Sequence, residues 1–580
     1  SRAIPTLLRG ISQSSDALKQ PDHADIQDNA DSNPVLGLTK RSGFQYVTGL
    51  SSSTLGNVHI QTINRDLNER YVAIFSNGNV KVFELDGTEL TVNKPDGTAY
   101  LNTSTPRSVM KTVTIADFTF VVNTSITAAM DSTLSGGTGT KAIIFINQAT
   151  ADTTYSVTID GVTVTDNTSG DSTLSTDTIA ADLKSGLDSG LSGFTIARNG
   201  PVLYVRKNDN SNFSIDGSDT QGDTKMTIIK DSVQRFTDLP TVSPNGYVVE
   251  IKGDDDTNFD NYYVKFVTNN GGAFEEGQWE ETVEAGIPFK FDYATMPHVL
   301  IRQADGNFRF ARVDGDTYTA ASTSFTLPKW GERTVGDVVS APDPSFIGNK
   351  INNVFFFRNR LGFLAGDNVI LSRVSEFFNF FPETVVSVLD NEPIDVAASH
   401  TKVAILKSAV TMGEKLILFS EQTQFVLTSS AENLTPKTAN VIVVTEFESS
   451  AAAQPVGSGS SIYFLTQKGS FAGIREYILQ GESQIRDAAN VTIHVPRLIP
   501  SGVFKMAVST NQDILVVLGS DNPNKLYVYR WLYGEGGQKA LSAWFTYSIN
   551  TNRSILNVDF IGTDLFAVIE EANKVTLEKI

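Results

Sequence analysis

Cysteine is absent from this 580-residue chain. Its absence excludes disulfide scaffolds, thiolate-bound zinc and thiol nucleophiles. Histidine is scarce: His23, His59, His298, His400 and His494 are all there is. No two sit at the spacing of a HExxH metal helix, so each reads as a structural or exposed residue. No run reaches the roughly 18 apolar residues of a membrane helix, and residues 1–22 lack a signal-type hydrophobic core. Basic residues are outnumbered, 46 Lys plus Arg against 65 Asp plus Glu, for a formal charge of −19. Gripping DNA needs clustered cations to neutralise phosphates, and no such cluster is visible. A solvated acidic surface is the plain reading of that charge.

What remains is a globular composition, 40% hydrophobic and 19% charged. The length exceeds one ordinary core. Residues 1–50 are polar and punctuated by turn formers, and read as an extended N-terminal arm that borrows structure from neighbours. Residues 51–123 carry the first strands. Arg70–Leu85 is two β-rich runs about Asn77-Gly78, a step suited to a tight hairpin, and Val113–Asn123 is a strand pair bent at Asp117. From 124 to 232 Ser, Thr, Gly and Asp dominate, and an inserted β-β-α-β-β domain is expected. Its helix is placed at Thr176–Ser189, because Ile179, Leu183 and Leu187 fall on one face. Residues 233–345 read as a β-rich platform or insert.

From 346 to 580 similar hairpins recur. Their apolar starts at Val354, Leu416, Ile462, Ile514 and Leu565 lie about 50 residues apart, the interval of four-stranded propeller blades. The expected class is therefore mainly β, a β-propeller-like core with inserted small α/β domains; a run of sandwich hairpins is the competing arrangement. A helix is expected to start at Glu376–Phe381 and stop at Pro382. The chain ends within an apparent strand, Leu577–Ile580, so further sequence is expected beyond it.

Catalytic signatures fail one by one. Asp254, Asp256 and Asn258 have the alternate spacing of a calcium loop, but Phe259 stands where Gly is required and Lys265 where a bidentate Glu is required. Gly136–Lys141 lacks the spacing of a phosphate loop and precedes a strand. Gly534–Gly537 lacks the third glycine of a dinucleotide fold, and no GxSxG elbow occurs. No catalytic residue, metal or cofactor is expected. The most unusual local feature is Val354–Arg360, VFFFRNR. Placed on one strand face, Arg358 and Arg360 would line a channel or meet a neighbouring subunit's carboxylates; buried, they would form ion pairs within the subunit.

INNVFFFRNRLGFLAGDNVILSR, from Ile351, resembles the tail nozzle family of autographivirus-type podoviruses, the tail tubular protein B family. Further words are similar in the same order: GISQSSDALKQPD from Gly10, TKRSGF from Thr39, INRDLNERYVAIF from Ile63, VTIADFTFVVN from Val113, PNGYVVEIKGD from Pro244, ATMPHVLIRQADGNF from Ala294, NEPIDVAASHTKVAILKSAV from Asn391 and HVPRLIPSGVFKMAVS from His494. They span most of the chain, while 124–232 matches poorly. The resemblance implies a homohexameric ring in the virion, at the tail tip, assembled in the host cytoplasm. It implies contacts with a tail adaptor protein (tail tubular protein A) and tail fibres, and a gated channel for DNA and internal ejection proteins, without membrane insertion. It implies no enzymatic residue. An acidic bore that repels phosphate accords with the charge of −19. The competing functions are a tail-associated depolymerase or peptidoglycan hydrolase, and a receptor-binding adhesin.

Overall fold

Runs such as Tyr71–Phe75 are apolar at consecutive positions, a pattern that suits strands buried on both faces. The computed structural model describes residues 6–136, 140–253, 261–459, 461–478, 488–534 and 539–580. Within it, Tyr71, Ala73 and Phe75 enter one core while Val72 and Ile74 enter the core on the opposite side. Each such strand is sandwiched between two other sheets. Burying one large apolar side chain contributes about 1.5–3 kcal/mol.

Seven sheets follow this rule, antiparallel but for one short parallel edge pair in the second, and most of them meanders of strands consecutive in the chain. The first strands are, in order, His59–Asn64, Met110–Ile115, Ile351–Phe357, Ser408–Met412, Val456–Ser458, Val503–Ser509 and Arg553–Ile561. Each touches the first strand of the next sheet, and the seventh touches the first, so the sheets close into a cycle. One apolar core fills each of the seven junctions between neighbours. The seventh sheet takes its fourth strand from the start of the chain: Gln45–Ser51 pairs antiparallel with Lys574–Lys579. That pairing fastens the cycle, and Leu50 and Leu577 are buried in the junction it completes.

The hairpin at Val354 differs from the other four. It joins the first and second strands of its sheet, whereas the others join the second and third. Counted from Leu361, in the second strand, the interval to Leu416 falls into line with the rest.

The second sheet is interrupted. Its second strand ends at Asn123 and its third, His298–Arg302, resumes beside it. The intervening chain leaves and returns along one stem. Asp131 N donates to Lys290 O (2.9 Å), Ser135 N to Ile287 O (2.9 Å) and Asp292 N to Ala129 O (2.9 Å). Beyond the stem lies a four-stranded sheet whose central strand, Lys141–Ile146, faces two ways. Ala142, Ile144 and Ile146 pack on the helix Thr176–Gly190 and a three-stranded sheet, while Ile143 packs on a five-stranded sheet spanning Ser232–Thr282. The helix buries Ile179, Leu183 and Leu187, and Ser175 caps it by accepting from Thr178 N (3.0 Å). The β-β-α-β-β order holds from Thr154 to Lys207, and three further strands flank it, Lys141–Ile146, Ile215–Asp219 and Met226–Ile229.

One expectation changes. No helix forms at Glu376–Phe381. Phe380 and Phe381 are instead buried between the second and third sheets, with Phe377 and Phe378 packed against that core; an irregular backbone sends all four rings inward, which a helix cannot do. The arm, as far as it is described, fastens to its own chain. Ile11 N donates to Trp544 O (2.7 Å) and Asn29 N to Thr546 O (2.7 Å), covering the edge strand Lys539–Ser548 of the sixth sheet. Gly10 is required there: its φ is +74°, and a Cβ would stand 2.4 Å from Trp544 O.

Candidate interface surfaces

Arg358 and Arg360 do not share a strand face. Arg358 and Asn359 both have positive φ (46° and 60°) and form the two-residue turn between Ile351–Phe357 and Arg360–Ala365. The turn lifts Arg358 to the surface, where its guanidinium meets Glu414 at 3.4 Å. Arg360 is turned inward and is 1% exposed. Among the described residues it forms no carboxylate pair. Its Nη1 donates to Ser372 O and Glu392 O (2.6 Å each), and its Nη2 to Asp390 O (3.2 Å). Burial pulls its pKa down to about 10, against a smaller opposing effect of Glu392. Arg360 therefore clamps the loop 373–393 and lines no channel within the subunit.

The loop it clamps carries an apolar surface. Pro342, Pro344, Phe380, Pro382, Val385 and Pro393 line a groove of about 220 Å³. Beside it Val338, Val339, Val386 and Val388 are at least half exposed. Contiguous apolar side chains on the outside mark surfaces that meet another chain. Periodicity could not reveal the groove, because it is built from irregular loops of two segments, with Pro436 added from a third.

The histidines take structural places. His298 stacks on Tyr100 (4.0 Å between ring centres) and its Nδ1 pairs with Met296 O at 2.9 Å; burial holds its pKa down to about 4. His494 lies 5.9 Å from His23 and is also held to about 4, by burial and then by His23. His400 stands 3.5 Å from Glu446. Among the described residues, one trio of carboxylates converges, Asp96, Asp314 and Asp316. Asp96 accepts from Arg312 N and Asp314 from Asp316 N, so two of the three are engaged by backbone amides. The calcium-like loop, from Asp254 on, lies outside the described residues, as do the middle of the 136–141 glycine stretch and most of the 534–537 one.

A cyclic stack of sheets with outward apolar loops is the architecture in which the described residues place these contacts. The chain belongs to the bacteriophage nozzle protein family, whose model matches residues 1–580. It is a structural tail nozzle subunit, a component of the virion tail that assembles with other tail proteins. Tail tubular protein gp12 of Escherichia phage T7 is 33% identical over 603 residues, covering 100% of this chain and 72% of that protein. Among solved structures, Kluyveromyces lactis Hsv2 matches at 10% identity and a TM-score of 0.26, covering 47% of this chain and 64%, just under two thirds, of that one. The WD40 domain of Toxoplasma gondii coronin matches at 11% identity and a TM-score of 0.27, covering 60% and 82%. Scores this low carry no argument about fold or function.

Proposed function

We propose that this nozzle subunit is a seven-bladed β-propeller with a stem-borne insert, and that six copies surround a gated bore. DNA and internal ejection proteins leave through that bore, an adaptor ring binds one end, and tail fibres dock on the flank at the tail tip. The insert is 124–297, with 124–232 as its outer module and 233–297 as the platform beneath it, and the chain rejoins the second sheet at His298–Arg302. The observation that carries this reading is the apolar groove between 338–344 and 380–393, set on a rigid cycle of sheets. Its occupant is a second copy of the chain: a ring of identical subunits needs head-to-tail contacts that close by rotation. Arg358, exposed on the neighbouring hairpin turn, is a rim cation for a carboxylate of the next subunit.

Sedimentation and particle imaging of the protein, alone and with the adaptor, test this. Closed rings are expected, and Val386→Asp with Val388→Asp should leave single subunits. Molecules that stay solitary under every condition, adaptor included, would sink the proposal. The role is non-catalytic, because the clustered carboxylates and histidines that are described are engaged structurally. Incubation with capsular polysaccharide and peptidoglycan should release no reducing ends; turnover lost on one carboxylate substitution would restore the hydrolase alternative.

A further inference from the structure

The first strands of the sheets converge on a cavity of about 270 Å³ at the hub of the cycle. Five of the seven contribute to its wall: His59–Gln61, Met110–Thr112, Val456, Lys505–Met506 and Leu556–Asn557. In a chain with an excess of acids, the charges here have the other sign. Arg107, Lys111 and Lys505 line the cavity, and the charge of Lys407 acts on Lys111 from the neighbouring strand connection.

The nearby carboxylates leave these cations short of partners. Asp559 stands 3.6 Å from Lys505. Glu570 acts on Arg107 from a distance, but its Oε2 accepts from the amides of Leu55 and Gly56 (2.6 and 3.0 Å). The ammonium of Lys111, on a strand at the hub, has no hydrogen bond or ion pair to any described residue. Burial, and then Lys407, pushes its pKa down. The Nε of Arg107 is buried and has no acceptor, while the same guanidinium lies 4.0 Å over the Phe504 ring and reaches Gly56 O at 3.4 Å.

The polar wall is ordered around these cations. Thr112 Oγ1 donates to Gln61 Oε1 (2.8 Å), so it accepts from His59 Nε2 at 2.8 Å. His59 is held neutral, its pKa pulled down to about 3 by burial, then by Lys111 and Lys505. Buried cations are normally paired. A half-buried ammonium without a described partner and a buried guanidinium Nε without an acceptor, in one wall, describe a receptor for an anion that offers several acceptor atoms at once.

We infer that the hub cavity binds a small, doubly charged tetrahedral oxyanion of phosphate size, held by Lys111, Arg107 and Lys505. The volume equals that of about nine water molecules, enough for one such ion with part of its hydration and far too little for a nucleic-acid duplex. The three cations come from the second sheet with its lead-in helix and from the sixth sheet, so one counter-ion ties these together across the hub and its occupancy stabilises the closed cycle.

Titration calorimetry of the full chain with sodium phosphate, against sodium chloride at matched ionic strength, tests the assignment. One saturable phosphate site is expected, with competition by sulfate and a phosphate-dependent rise in melting temperature that chloride does not give. Lys111→Met should weaken phosphate at least tenfold and abolish the rise. Lys505→Gln, at the rim, should weaken it several-fold and serves if the first variant fails to fold. A short oligothymidylate separates free oxyanion from nucleic-acid phosphate: it should neither bind in the cavity nor compete. No saturable phosphate binding, equal affinity in folded Lys111→Met, or a Lys111-dependent response to the oligonucleotide alone would overturn the inference.

Discussion

Replacing Arg360 by Met keeps the length of the side chain and removes its donors. Two of the bonds lost are short, 2.6 Å to Ser372 O and to Glu392 O. Charge-assisted bonds contribute about 1.5–3 kcal/mol each, so the gross loss is about 3–6 kcal/mol. Part returns, because a buried cation no longer has to be held out of water; the depression of its pKa to about 10 reports that opposing cost. The expected net loss is about 2–4 kcal/mol. It should also be local. Those carbonyls belong to one edge of the third sheet and to the loop 373–393, where Val374 N donates to Asn391 O (3.0 Å) and Arg373 N to Asn379 O (2.9 Å). Amide hydrogen exchange should therefore accelerate in 373–393 while the strand Ile351–Phe357 keeps its protection. Arg360→Lys, which retains the charge and fewer donors, should fall between. Exchange in 373–393 unchanged in Arg360→Met, or a loss below about 1 kcal/mol in urea unfolding, would refute the clamp.

Leu577→Ala, at the junction sealed by Gln45–Ser51, should cost about 2–5 kcal/mol, read as a lower urea midpoint, and should expose residues near 45–51 to protease. Gly10→Ala should free the arm, because positive φ and a close carbonyl both oppose a Cβ; limited proteolysis should then cut within 10–30 while the sheets keep their melting temperature. His298, with a folded pKa near 4 against 6.5 unfolded, contributes stability that is complete above pH 6.5 and is lost as pH falls toward 4. The loss approaches about 3 kcal/mol, and His298→Phe should flatten that part of the pH–stability curve.

The parts legible in the sequence were those set by local periodicity. The hairpins between Val354 and Leu577 announced themselves through apolar runs around polar turns, and the helix through Ile179, Leu183 and Leu187. What escaped depends on contacts between distant segments. Nothing near Gln45 shows that its partner is Lys579. The alternation drawn through Arg358 and Arg360 failed because two residues other than glycine adopt left-handed backbone at the turn, which reverses the chain just where a continuous strand was assumed. EFFNFFPE has the composition of a buried helix, but all four of its rings go to one core, which a helix cannot arrange and an irregular backbone can. The hub cations come from segments some 400 residues apart, so no local word groups them.

Because the chain departs from the second sheet at Asn123 and comes back at His298 alongside, the insert enters and leaves that sheet at neighbouring points, and it meets the rest of the host through loops, as where Glu281 accepts from Val385 N (2.7 Å). The host sheet needs only the two neighbouring ends to be held together; it is indifferent to the size, sequence or architecture of what hangs between them. A lineage can therefore lengthen, exchange or remodel that appendage without disturbing the register of any strand in the cycle. Divergence should collect there while the host stays recognisable.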